Sequence, residues 1–121
     1  MPCSKVFLSA FFLLTILVQG NSQQIDYRYR DASLPVHQRL DLLLSQMTLE
    51  EKVGQLRQCN LSSEVQDGEF KEGAFHRIFD DRGAGTLESP IFFTGDIARL
   101  YNEAQKYLLE ETRLGIPGLL I

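Results

Sequence analysis

Cysteine is scarce in this sequence. Of the two cysteines among 121 residues, Cys3 sits in a charged leader and departs with it, so only Cys59 stays with the mature chain. One cysteine cannot close an internal disulfide, and the domain must be held by its core. Cys59 itself reads as a half-buried spectator. Positive charge is also in deficit. Once Lys5 is removed with the leader, 11 basic residues face 16 acidic ones, a net charge of −5. Such a surface excludes nucleic acid and anionic lipid as partners and suits an uncharged substrate. The only two histidines, His37 and His76, are isolated among polar neighbours at no metal-ligand spacing, so no metal and no cofactor are expected. A nucleotide-binding glycine loop is excluded too: Gly83 and Gly85 lead to Glu88 where the third glycine should stand, and no helix opens directly after it.

A long apolar run is the last absence. The longest stretch, Val6 to Val18, gives roughly 20 Å of helix at about 1.5 Å per residue, short of the ~30 Å hydrocarbon core. Lys5 before it and the polar QGNSQQ after it complete the layout of a secretory signal peptide over residues 1–20, with cleavage before Asn21 or just after Ser22. The expected location is secreted or periplasmic, with no membrane association after cleavage. Residues 21–32 then read as an extended arm whose Tyr27 and Tyr29 anchor it to the domain surface, and residues 33–121 form one incomplete domain.

The domain opens with two helices. Pro35 suits a first turn, and Val36, Leu40, Leu43 and Leu44 recur at helical spacing as a core-facing stripe. Thr48 and Glu51 are spaced as a capping box for a second helix, whose buried stripe is expected at Leu49, Val53 and Leu56. Gly54 in mid-helix costs about 1 kcal/mol relative to alanine and implies that another element approaches closely there. Glu50 and Glu51 resemble an acid–base pair, but their place in a first turn favours a structural role.

Residues 58–69 show no stable period and read as a loop, with Asn60-Leu61-Ser62 a candidate glycosylation sequon if the source is eukaryotic. Phe70, Phe75, Ile78 and Phe79 suggest a short helix containing Gly73; Asp80 and Asp81 then form a turn. Residues 83–89 (GAGTLES) are the first strand, limited by Pro90. The strongest helix covers 96–114. Ile97, Leu100, Tyr101, Ala104, Tyr107 and Leu108 line its core face, Thr94 or Asp96 caps it, Arg99 pairs with Glu103, Arg113 favours its carbonyl end, and Gly115 stops it. The closing GLLI reads as a parallel strand buried on both faces. Strand, helix, strand is one βαβ unit, and its two strands leave open edges.

The block RDASLPVHQRLDLLLSQMTLEEKVGQL, then GAGTLES, then YNEAQKYLLEETRLGIP, resembles the N-terminal domain of glycoside hydrolase family 3, the retaining β-glucosidases and β-xylosidases. The resemblance runs from about residue 30 to 121. It implies an α/β fold class: the N-terminal fragment of a TIM-like (β/α)8 barrel, with leading helices plus about one βαβ unit. Such a barrel takes about 250 residues, so the chain reads as truncated. The family's nucleophilic aspartate and acid/base glutamate would both lie beyond residue 121, so no catalytic residue is assigned and the piece alone is expected to be inactive. A carbohydrate substrate would be bound only by the full-length enzyme. One weak substrate-binding candidate remains: Glu88, where the first strand ends, because barrel enzymes place functional groups at that rim. The alternative is a small exported non-enzymatic protein that binds a partner through its apolar C-terminal strand by β-addition.

Overall fold

The computed structural model describes residues 24–80, 82–88 and 96–121. The signal peptide, the start of the arm, Asp81, Pro90 and Thr94 lie outside the described residues. Helices α1 (Val36–Gln46), α2 (Leu49–Gly54), α3 (Ala74–Phe79) and α4 (Ile97–Glu110) accompany strands β1 (Gln58–Asn60), β2 (Val65–Gln66), β3 (Glu69–Phe70), β4 (Thr86–Glu88) and β5 (Leu119–Leu120). The class is mixed α/β.

The sheet is wider than the sequence suggests. Strands β1, β4 and β5 lie side by side in that order, both pairs parallel, with Cys59 opposite Leu87 and Leu87 opposite Leu120. GAGTLES therefore supplies the central strand rather than the first, and two crossovers are present rather than one. The first passes through the β2–β3 hairpin and α3, the second through α4. The loop reading of 58–69 fails because strands of two or three residues are too short to show a period. A local signal was nevertheless there: Asp67-Gly68, with φ of 53° and 85°, makes the tight turn between β2 and β3.

The core lies on one face of this sheet. Cys59 and Leu87 point into it and meet Ile78 and Phe79 of α3 and Ala104 and Leu108 of α4, all buried. Cys59, only 4% exposed, is a core residue and not a half-buried one. Phe75, Phe79 and Tyr107 stack around it with ring centroids 5.0–6.0 Å apart. The stripe predicted for α4 faces this core as expected and Asp96 caps the helix by accepting from the Arg99 amide, but the helix ends at Glu110 with Glu111 as its cap, so Gly115, at φ 57°, turns the loop beyond the helix rather than stopping it. Gly73 precedes α3 rather than lying within it, and Phe70 belongs to the hairpin.

The leading helices depart from expectation. Val36, Leu40 and Leu44 of α1 are largely exposed, as are Leu49, Val53 and Leu56 around α2. An apolar stripe is buried only where a second layer opposes it, and the core cluster among the described residues includes no side chain of α1 or α2. The closing strand departs for a related reason. Leu119 is 70% exposed, because β5 is the edge strand and nothing among the described residues pairs with its outer side.

The arm is anchored, though not extended throughout: Tyr27–Arg30 form one 3-10 turn capped by Asp26. Tyr29 is buried and donates its hydroxyl to the Leu114 carbonyl, Arg30 donates to the same oxygen at 2.9 Å, and Arg39 reaches back to the Tyr29 carbonyl at 2.8 Å. Tyr27 lies exposed with the Arg30 guanidinium 5.1 Å from its ring centre.

Candidate functional site

Three parallel strands give the domain a polarity. Ligands of open parallel sheets gather outside the carboxyl ends of the strands, and here those ends are Asn60, Glu88 and the residues after Leu120. Side chains alternate across the sheet. Cys59 and Leu87 face the helices, so Gln58, Asn60, Thr86 and Glu88 share the opposite face. A hydrogen bond confirms it: Gln58 Nε2 donates to Glu88 Oε2 at 2.9 Å across the β1–β4 pair.

Asn60 ends β1 in an Asx turn. Its Oδ1 accepts from the Ser62 amide at 2.8 Å and from the Ser62 hydroxyl. Glu88 ends β4, half-buried, and its carbonyl accepts from the Leu61 amide at 3.3 Å, which holds the two strand ends together. Register places Asn60 directly beside Glu88. Sequence reasoning found Glu88 but treated Asn60 only as a sequon; the polar–apolar–polar order of Gln58, Cys59 and Asn60 was the signal for a strand with one buried face.

A cleft of about 730 Å³ opens at the other end of the sheet among residues that precede the strands: Thr48, Glu50 and Glu51 before β1, Asp80 and Arg82 before β4, Thr112 and Arg113 before β5. It contains several carboxylates, yet the deepest are engaged. Glu51 completes the predicted capping box with Thr48 and receives Arg113 Nε at 2.8 Å. Burial opposes its charge, but the hydrogen bonds from Arg113 and the Thr48 amide, with the Arg113 charge, outweigh that and hold the carboxyl below the ordinary glutamate range. Arg113 is thus recruited by Glu51 rather than by the carbonyl end of α4. Asp80 forms the expected turn, and its carboxyl is lowered chiefly by the hydrogen bond from Arg82. Carboxylates held as anions by arginine are poor proton donors at neutral pH. Glu51 therefore has a structural role, and it and Arg113 clamp the elements that line the cleft.

His37 and His76 are exposed on separate helices, and the described residues contain no cluster of three metal-ligating side chains. No helix among them is long and apolar enough to cross a membrane.

No family model matches the sequence. The chain is 33% identical over 100 residues to a provisionally named beta-xylosidase of Formosa agariphila, covering 77% of this chain and 13% of that protein. It is 37% identical over 91 residues to beta-glucosidase C of Emericella nidulans and 36% over 95 residues to the provisionally named beta-glucosidase C of Aspergillus flavus, with 74% of this chain and 15% of the relative covered in each case. The chain spans 13–15% of the length of these curated relatives. Its described fold is a small parallel α/β layer, and its similarity is to one short stretch of proteins named as β-glycosidases.

Proposed function

We propose that these residues are the N-terminal portion of a secreted retaining glycoside hydrolase of the family 3 type, acting on β-linked glucosides or xylosides. The observation that carries the reading is the similarity over about three quarters of the chain to proteins named for β-xylosidase and β-glucosidase. The arrangement of the sheet supports it. Sequential strands β1, β4 and β5 are neighbours, parallel and joined through helices, as successive strands of a TIM-like barrel are. In that reading the polar face carrying Gln58, Asn60, Thr86 and Glu88 turns toward the barrel interior, and the bare edge of β5 receives the next strand. The apolar faces of α1 and α2 are covered in the same way.

Retaining hydrolysis takes two carboxyl groups, one as nucleophile and one as acid/base. Family resemblance puts both beyond Ile121, so the 121-residue chain turns nothing over, and Glu88 is its one candidate for sugar contact. Two measurements test this. The purified chain, assayed on aryl β-glucosides and β-xylosides, should match a mock preparation; turnover above it sinks the inactivity. In the family that the chain resembles, an acidic residue and a His-Gly motif follow this last strand; sequencing the transcript past the Ile121 codon should show an open frame reaching them, and the longer product should hydrolyse one of the two substrates. A stop codon, with a compact chain that unfolds cooperatively, would instead support the partner-binding alternative, for which the exposed Leu119, Leu120 and Ile121 are the docking edge.

A further inference from the structure

We propose that Asn60 and Glu88 form a donor–acceptor pair that binds two adjacent hydroxyl groups of a pyranoside at the carboxyl ends of β1 and β4. The choice of a sugar rests on the glycosidase reading above; the pairing rests on the geometry of the rim. The two residues are register partners on adjacent parallel strands, about 4.8 Å apart in backbone spacing, and lie on the same polar face.

Each side chain is committed to one polarity. The Ser62 amide can only donate, so the Asn60 atom that faces it at 2.8 Å is the oxygen, and the Ser62 hydroxyl occupies that same oxygen. What Asn60 turns outward is therefore Nδ2, a donor. In Glu88, Oε2 is taken by Gln58 Nε2 at 2.9 Å, while no group among the described residues donates to Oε1. What Glu88 turns outward is an acceptor. A strict donor beside a strict acceptor takes a ligand that offers one acceptor and one donor side by side. Phosphate is repelled by Glu88, and a cation gains nothing from the Asn60 amide. A vicinal diol satisfies both, since one oxygen accepts from Nδ2 while the neighbouring hydroxyl donates to Oε1. The same reasoning bears on the sequon: a glycan on Asn60 would consume Nδ2, so the two roles exclude each other.

The test is a ¹⁵N-resolved NMR titration of the 121-residue chain with methyl β-D-glucopyranoside, methyl β-D-xylopyranoside and, as a non-glycoside polyol, myo-inositol. Saturable shifts are expected at the Asn60 side-chain amide and at the Leu61 and Ser62 backbone amides with at least one glycoside. Asn60→Asp keeps the oxygen that holds Ser62, and Glu88→Gln keeps an acceptor for Gln58, so both variants should retain the dispersed spectrum of the fold. Each should weaken binding about tenfold, the loss of one hydrogen bond to a charged or fixed partner. The double variant exchanges donor and acceptor and should recover most of the lost affinity, which a merely structural role would not do. No saturable shift with any probe, unchanged binding in both single variants, or a glycan on Asn60 of the natively secreted protein overturns the pair. Binding of myo-inositol without either glycoside overturns the sugar assignment. Rim binding that persists while the longer product hydrolyses neither aryl glycoside counts against the glycosidase reading and not against the pair.

Discussion

Arg113, in the loop after α4, donates from Nε and Nη2 to the two carboxylate oxygens of Glu51, the third residue of α2, across 62 positions of sequence, and the same Nη2 also reaches the Gln46 carbonyl at 2.7 Å. One guanidinium thereby joins the end of α1, the start of α2 and the approach to β5. Glu51 is doubly used, since the same carboxylate receives the Thr48 amide at 2.8 Å.

Stability should therefore depend on Glu51 being ionised. Its folded-state carboxyl lies below the ordinary value of 4.5, so its contribution is complete above that pH and is lost as the pH falls through the folded value. Glu51→Gln should remove this acid-sensitive part and cost about 2 kcal/mol at neutral pH, reduced from the fully buried case because Arg113 is partly in water. Amide exchange at Lys52 to Gln55, followed between pH 3 and pH 7, should show the wild type losing protection on acidification and the variant starting low and changing little.

Gly54 and Gly85 should reject alanine for steric reasons alone. A Cβ at Gly54 would stand 2.0 Å from the Arg82 carbonyl oxygen, and one at Gly85 1.9 Å from that of Gln55. Helix propensity favours alanine at Gly54 by about 1 kcal/mol, yet a clash with rigid backbone costs more than that. Each variant should lower the unfolding free energy from denaturant titration by about 2 kcal/mol or more; an alanine at 54 that stabilises the chain would show that α2 and the turn at Arg82 do not pack this closely.

Cys59 should be chemically silent in the folded chain. Burial among Ile78, Phe79 and Leu87 pushes its thiol above the usual value of 9.0, with the Arg57 charge only partly offsetting this. A thiol reagent at pH 8 should modify it slowly in buffer and rapidly in denaturant, the ratio reporting how often β1 opens. Rapid native labelling would contradict the buried position.

At the bare edge, Leu119→Lys should leave stability within about 0.5 kcal/mol, since the side chain is largely in water already. It should reduce self-association in sedimentation experiments, because an apolar edge strand recruits further strands and a lysine there discourages them. Unchanged association would place the sticky surface elsewhere, with the exposed leucines of α1 the next candidates.

Local chemistry was legible from the residues themselves. The Thr48–Glu51 box, the Asp96 cap and the Arg99–Glu103 pair each rest on groups within a few positions of one another, so spacing suffices to place them, whereas the end of α4 falls at Glu110 and not at Gly115. Gly54 announced its close neighbour without naming it, although it proves to be the last residue of α2 rather than a mid-helix one. The α4 stripe was equally legible, because fourteen helical residues give a period time to repeat. Of the rim, Glu88 was found at the end of its strand. Tertiary structure alone decided the rest: that a three-residue segment around Cys59 becomes a strand beside β4, that Asn60 stands next to Glu88, that Arg113 turns to Glu51, and that Leu40 and Leu44 of α1, Leu49 and Leu56 at α2 and Leu119 and Leu120 of β5 stay largely in water. These are matters of which surfaces meet. Burial and pairing are settled by partners distant in sequence, and an apolar stripe states only what a segment can bury, while the layer that comes to lie against it determines whether it does.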